Sequence, residues 1–401
     1  MVRVLADDEV AASLTIRDLT DPLQGPHAMQ LLIDSIEHAL AERWHVPVIR
    51  ERADPIVSIH ENYDRLLIPQ DAVARDARYT RYVRDDAVLR THASAIVPQA
   101  LDRLAVDPPP QVVLSCPGIC YRRDSIDRHH VGEPHQLDVW RIDTDSGPLD
   151  MPDLEELINV VIQAALGPRR WRTVETGHPY TVGGVQVDVL VGDAWLEVGE
   201  CGVAHPAVLR GSGLSVPPAS GLAMGLGLDR LLMVRKGIDD IRLLRATDAR
   251  IADQMLDLQR YRPVSSMPAV RRDLSIAVAP DTTPELLGDR VRAVLGDDAS
   301  SVEQINVVSE TSYEELPRAA RDRLGIRPGQ KNMLVRVVLR DLDRTLTDDD
   351  ANRLRDRIYA SVHEGTVWMW AQRPATPLIT NSARGRPDPT RPSSDSRRPR
   401  P

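Results

Sequence analysis

The sequence predicts an α+β protein with two folded units in series, an antiparallel sheet with flanking helices and then a smaller ferredoxin-like unit. Three observations carry this. A helical period over 154–166, stopped by Gly167-Pro168, precedes three strand-like pieces at 173–180, 185–191 and 194–198, for which antiparallel pairing is the economical packing. Beyond Tyr261-Arg262-Pro263 and Ser265-Ser266 the pattern runs strand 274–278, helix 283–295, strand 302–309, strand 333–340, helix 347–363 and strand 367–370, the βαββαβ order. From Gln372 onward Pro, Arg and Ser displace every apolar period, which marks a disordered tail with a positive excess at Arg397, Arg398 and Arg400. The expected units are 1–260, 267–371 and a tail of 372–401.

Within the first unit, Met29, Leu32, Ile33, Ile36, Ala39 and Leu40 recur at helical spacing, so 27–44 is a helix and 46–49 a short extended run. A second helical stretch between Val88 and Leu104 is entered through Arg90-Thr91-His92-Ala93-Ser94, and 111–115 is a compact apolar strand. The run 119–142 reads as a strand pair around a polar loop. A glycine-rich strand then feeds a helix at 228–236, and another helix covers 247–259.

Composition narrows the classes. No apolar run reaches the roughly eighteen residues of a membrane span, and Asp7, Asp8 and Glu9 spoil any secretory pattern, so a cytoplasmic protein without a membrane partner is expected. Cys116, Cys120 and Cys201 are too few for a disulfide framework and make zinc a poor fit. A net charge of -9 excludes a generally basic nucleic-acid coat but leaves room for a local positive surface. Phenylalanine occurs 0 times, where a chain of this make-up would hold roughly ten. A core can be built from Leu, Val and Ile alone but has no physical reason to exclude Phe.

Two stretches concentrate the chemistry. Cys120-Tyr121-Arg122-Arg123-Asp124-Ser125-Ile126-Asp127-Arg128-His129-His130, followed by Pro134-His135-Gln136-Leu137-Asp138, packs cations, amides and carboxylates into one strand-loop-strand. Alone it reads as a solvated, salt-bridged hairpin. In Ser220-Gly221-Leu222-Ala223-Met224-Gly225-Leu226-Gly227-Leu228-Asp229-Arg230, alternating small residues admit another backbone or a ligand close to a strand, and an arginine stands near a helix start.

Together these resemble motifs 2 and 3 of class II aminoacyl-tRNA synthetases, and the surrounding sequence resembles the phenylalanyl-tRNA synthetases. Asn62-Tyr63-Asp64, Leu89-Arg90-Thr91-His92-Ala93-Ser94, and Trp195-Leu196-Glu197-Val198 with Gly202-Val203-Ala204-His205-Pro206 extend the resemblance through the first unit. Pro268-Ala269-Val270-Arg271-Arg272-Asp273-Leu274-Ser275 and Asp343-Arg344-Thr345-Leu346-Thr347-Asp348 resemble the family's ferredoxin-fold anticodon-binding domain, in the single-chain organellar arrangement. The resemblance implies ATP and Mg2+ as cofactors, tRNA and an amino acid as partners, and a monomer or homodimer. It assigns Arg122 to the α-phosphate, Arg230 to the adenine and γ-phosphate, His130 to the phosphates, Pro134 to the place beneath adenine, and Glu197 to magnesium or the ribose. His92, Ser94, Gln136 and Asp138 match positions that receive the amino acid's charged ends, with His178, Tyr180, Glu200 and Ala223 in the same pocket.

The departures bear on substrate choice. The family's Phe-Pro-Phe ring-binding strand is here His178-Pro179-Tyr180, and Glu200 stands where the family has glycine. Asp138 replaces a glutamate, Pro134 an aromatic residue, and Thr181-Val182-Gly183 the usual Thr-Glu-Pro. A buried Glu200 requires a partner or a shifted pKa, so it pairs with a substrate cation, pairs with His178, or turns away. Three functions remain open at this point: attachment of phenylalanine to tRNA, the same reaction with a related aromatic or polar analogue, and a tRNA-binding paralog without ligase activity.

Overall fold

The computed structural model describes residues 4–214, 219–264 and 267–369. After a helix at Asp7–Leu14, the helix Ala28–Trp44 leads to β1 (Val48–Arg50). Three short strands, β2 (Ile56–Ser58), β3 (Tyr82–Arg84) and β4 (Ala87–Leu89), form a small sheet of their own in the order β2-β4-β3. The main strands are β5 (Gln111–Ile119), β6 (His135–Asp143), β7 (Trp171–Glu175), β8 (Thr181–Val191), β9 (Ala194–Ala204) and β10 (Ser220–Gly227). They form a seven-stranded sheet ordered β1-β5-β6-β10-β9-β8-β7, antiparallel except for the β1–β5 pair.

The apolar periods decide what covers this sheet. Helix Ala28–Trp44 buries Met29, Leu32, Ile33, Ile36 and Leu40, and helix Met151–Leu166 buries Leu154, Leu157, Ile158, Val161, Ile162 and Ala165, in one core with helix Leu228–Lys236. Asp150 and Asp153 cap Met151–Leu166 reciprocally, and Gly167 ends it. The opposite face is closed by helices Val97–Leu104 and Pro206–Gly211, in a core that includes Trp140 and Ala223. Centrally, β9 and β10 lie so close that a Cβ at Gly199 would stand 2.4 Å from the Gly225 carbonyl oxygen. That approach is the use of the small residues in this stretch.

The C-terminal strands β11 (Val270–Val278), β12 (Val302–Ser312) and β13 (Lys331–Leu339) form an antiparallel sheet ordered β11-β13-β12, packed on helices Pro284–Leu295 and Asp348–Val362. This follows the first three strands and both main helices of the expected βαββαβ order. Helix Arg318–Leu324 is additional. Of the predicted fourth strand, residues 367–369 form no strand and Trp370 lies outside the described residues, as do Ser265-Ser266 and the tail 372–401.

Three local expectations change. The run 119–142 holds one new strand rather than a pair, because β5 continues to Ile119 and 120–134 is an irregular loop before β6. The stretch after Arg90 first makes a 3-10 turn at Ala93–Ile96 and becomes helical only at Val97. The segment 247–259 breaks into a turn of helix at Ala249–Ala252 and a 3-10 turn at Asp253–Leu256, after which the buried Lys236 Nζ takes the Asp257 and Gln259 carbonyls at 2.6 and 2.8 Å.

The loop 120–134 is held by the C-terminal unit. Ile126 joins that unit's apolar core, and the Ile126 carbonyl accepts the Ile305 amide at 2.9 Å. Arg292 donates to the carbonyls of Asp124 and Ser125 at 2.6 and 2.7 Å, and Asp289 accepts from Arg123 Nε at 2.9 Å and Arg81 at 3.3 Å. Burial alone would raise the Asp289 carboxyl, but the Arg81 and Arg123 guanidiniums hold it below its ordinary value. Removing one member of such a buried set leaves uncompensated charge. We expect Asp289→Ala to destabilise the protein by about 3 kcal/mol at neutral pH, read from the urea midpoint. A group with a depressed pKa stabilises above the unfolded value and loses this as pH falls through the folded one, so the gap from wild type should narrow in acid.

Candidate active site

Strands β6, β9 and β10, the loop 120–134 and the turn at Ala93–Ile96 enclose a cavity of about 580 Å³. His92, Ser94, Arg122, His130, Pro134, Gln136, Asp138, His178, Tyr180, Glu197, Glu200 and Arg230 all line it. Ala223 does not. It pairs with Trp140 and Gly202 inside the sheet, on the same face of β10 as Gly225, and is buried with Trp140 in the core that adjoins the cavity.

One half of the cavity is cationic. Arg230, two residues into its helix, donates through one NH2 group to His130 Nε2 at 3.0 Å, while its other lies 3.4 Å from the Glu197 carboxylate. The bond from Arg230 leaves the His130 proton on Nδ1, where Asp127 Oδ2 accepts at 2.7 Å, and Asp127 is the main reason the histidine's pKa is raised. Arg122 Nε is buried without a partner. A cation with an unmet donor beside a fixed arginine and a histidine suits an anionic ligand, since charge-assisted bonds of this kind exceed neutral ones in strength. Among the described residues no three His, Cys, Asp or Glu side chains converge as a metal cage. Glu197 alone fits Mg2+ that arrives with phosphates, because such an ion takes one or two carboxylates from protein and the rest of its shell from substrate and water.

The other half is a hydrogen-bonded chain. Asp138 accepts from Ser94 Oγ at 2.7 Å and from Trp140 Nε1 at 2.8 Å, and burial pushes its carboxyl up to about 6 against those bonds. Gln136 Oε1 accepts the Ala93 amide at 3.0 Å. Tyr180 stacks on Trp140 with ring centroids 6.2 Å apart. His178 Nε2 lies 2.7 Å from Glu200 Oε2, so Glu200 neither turns away nor stands unpaired in the structure; that bond is the chief cause of the histidine's raised pKa. Both His92 nitrogens are buried and unpaired, and burial, with Arg122 next, pushes this histidine down to about 4.

Two further residues frame the site, Trp140 with no signal in the sequence and His135 within the charged run. Trp140 supplies the second donor to Asp138, and a tryptophan two places along a strand from a carboxylate is ordinarily core. His135 is fully buried and accepts the Leu19 amide while its Nδ1 meets Asp229 at 3.0 Å, so its role is structural.

This fold and arrangement define a class. Residues 21–255 match the family described as tRNA synthetases class II core domain (F), and the chain belongs to that family. The relatives it matches are phenylalanine–tRNA ligases. It is 40% identical over 195 residues to the alpha subunit of the enzyme from Prochlorococcus marinus strain MIT 9313, a match covering 49% of this chain and 56% of that subunit. It is 28% identical to a probable mitochondrial ligase of Drosophila melanogaster, covering 77% of this chain and 76% of the other. With the chloroplastic/mitochondrial ligase of Arabidopsis thaliana the identity is 29%, covering 78% and 71%. The chain thus spans little more than half of the cyanobacterial subunit and most of the organellar enzymes.

We expect Glu200→Gln to lower the pKa of His178 toward that of a free imidazole, followed by NMR titration of the ring proton. An unchanged titration would show that the pair does not form.

Proposed function

We propose that the protein is an ATP-dependent phenylalanine–tRNA ligase working through an aminoacyl-adenylate. The observation that carries this is one cavity with a cationic half, Arg122, His130 and Arg230, and a carboxylate half, Asp138 with Ser94 and Gln136, in a chain whose relatives bear that name. The amino acid's ammonium meets Asp138, its carboxylate oxygen attacks the α-phosphate, and pyrophosphate leaves. Arg122 and Arg230 hold the negative charge that grows on the phosphate oxygens, as preorganised donors do. Mg2+ at Glu197 would neutralise phosphate charge. The adenylate's carbonyl is then attacked by the terminal ribose hydroxyl of tRNA and AMP leaves, with the C-terminal unit as the anticodon contact.

Arg122→Ala and Arg230→Ala should each slow ATP–pyrophosphate exchange by about 100-fold with the fold intact. Full exchange in both folded variants would exclude the ligase role. Protonated Asp138 no longer attracts an ammonium group, so the amino-acid KM should rise as pH falls through about 6.

The His178–Glu200 pair favours a second reading, the same reaction with a ring that carries a hydrogen-bonding group. A site built around a hydrogen bond can reject a partner lacking it by as much as about 10⁴-fold. Exchange rates with phenylalanine, tyrosine and amino-bearing analogues, for wild type and for His178→Phe with Glu200→Gly, decide between the two. A wild-type preference for phenylalanine that the double change leaves alone removes the second reading.

A further inference from the structure

We propose that this protein is a standby ligase whose own synthesis draws on no phenylalanyl-tRNA, so that it can be made after charging by another ligase has failed. The inference rests on the function proposed above and extends it from chemistry to the conditions of use. Its starting point is the 0 phenylalanines against 8 tyrosines and 6 tryptophans in 401 residues. Base composition does not explain this. Phenylalanine and tyrosine each have two codons, with two fixed A/T positions and the same choice at the third, so a bias that removed one would remove the other.

The structure shows that aromatic packing itself was retained. Trp140, Tyr63, Tyr121 and Tyr359 are the four largest fully buried side chains. Tyr359 clusters with His363, stacked at 4.7 Å, and Trp368, edge-on at 5.9 Å, which also meet each other at 5.3 Å. Tyr63 meets His92 edge-on at 6.2 Å, and its hydroxyl is accommodated by the Ala74 carbonyl at 3.0 Å and Thr80 Oγ1 at 2.5 Å. Thr80 Oγ1 also donates to the Ala74 carbonyl at 2.7 Å, so a bare phenyl ring at 63 would leave that carbonyl satisfied. A buried hydroxyl is unfavourable unless it is bonded, and a phenyl ring needs no such provision. Core positions that a phenyl ring would fill at lower cost therefore hold rings with polar groups, and phenylalanine alone is missing.

The consequence follows from the reaction. A ligase gene with phenylalanine codons cannot be translated once its product is exhausted, so loss of charging perpetuates itself. A chain without those codons escapes the trap. Shortage of phenylalanine itself is not the condition served, because a ligase then has nothing to attach; the condition is loss of ligase activity while the amino acid is present.

The test uses a bacterial host in which the resident phenylalanine–tRNA ligase is depleted by conditional proteolysis with phenylalanine supplied. Wild type is induced in parallel with a Tyr261→Phe, Tyr313→Phe, Tyr359→Phe variant, whose changes lie away from the cavity and whose purified activity is matched beforehand. Full-length protein and charged tRNA(Phe) are followed by immunoblot and acid gel. We expect wild type to accumulate and charging to recover, while the variant fails to accumulate; in a second culture starved of phenylalanine, neither should restore charging. Equal accumulation of the two forms after depletion, or of neither, overturns the proposal. Wild type that accumulates while tRNA(Phe) stays uncharged overturns it as well, and ATP–pyrophosphate exchange by the purified protein then tells whether the ligase reading has failed with it.

Discussion

The contact on which the site depends most is between His135 and Asp229. Both are buried, and Asp229 accepts the His135 amide at 2.5 Å as well as its ring proton at 3.0 Å. His135 opens β6, which carries Gln136 and Asp138, while Asp229 immediately precedes Arg230. One carboxylate thereby fixes the Asp138 half of the cavity against the Arg230 half. The ring's second nitrogen accepts from Leu19, and Arg245 reaches it at 3.3 Å, so the N-terminal segment and the turn after helix Leu228–Lys236 converge on the same point. The neighbouring histidine holds Asp229 below its ordinary pKa against full burial, which keeps an otherwise costly buried charge in place.

What could be read in the sequence follows from where information is local. Helix Met151–Leu166 announces itself by apolar period and terminal glycine, and β10 by small residues that let another backbone approach. The cationic residues of the cavity were legible through the resemblance to motifs 2 and 3, because the charged strand-loop-strand taken alone reads as a salt-bridged hairpin. The loop 120–134 was not, because what shapes it is a partner more than 150 residues away, Arg292 on the carbonyls of Asp124 and Ser125. Segment 247–259 misled for a related reason: its helical turns stop at Leu256, and the carbonyls of Asp257 and Gln259 go to Lys236, which is distant in sequence. Ala223 illustrates the limit of motif correspondence: it shares the strand and the face of Gly225, yet it is buried in the core with Trp140 and does not line the cavity.

The cavity combines two kinds of polarity. Ser94 and Trp140 form a closed set of donors on Asp138, whose carboxylate keeps lone pairs for a further donor, whereas His92 presents two unmet nitrogens and Arg122 one. Closed sets hold geometry, and unmet groups mark where a ligand completes the bonding. The His178–Glu200 pair belongs to the first kind. It satisfies itself, and so it can frame the space for a ring without demanding a charge from the substrate.

Ile126 has a consequence for how such a protein could be rearranged by recombination. Its side chain belongs to the hydrophobic core of one unit and its backbone to the loop 120–134 of the other, so the two are joined by a shared residue as well as by a linker. A C-terminal unit exchanged for a distant cousin's would arrive without a fitted socket for Ile126 and without Asp289 and Glu303, whose carboxylates meet Arg123 at 2.9 Å and Arg128 at 2.8 Å. The loop and the unit that receives it are therefore constrained to diverge together, and the boundary in the chain near residue 265 does not coincide with the boundary in the fold.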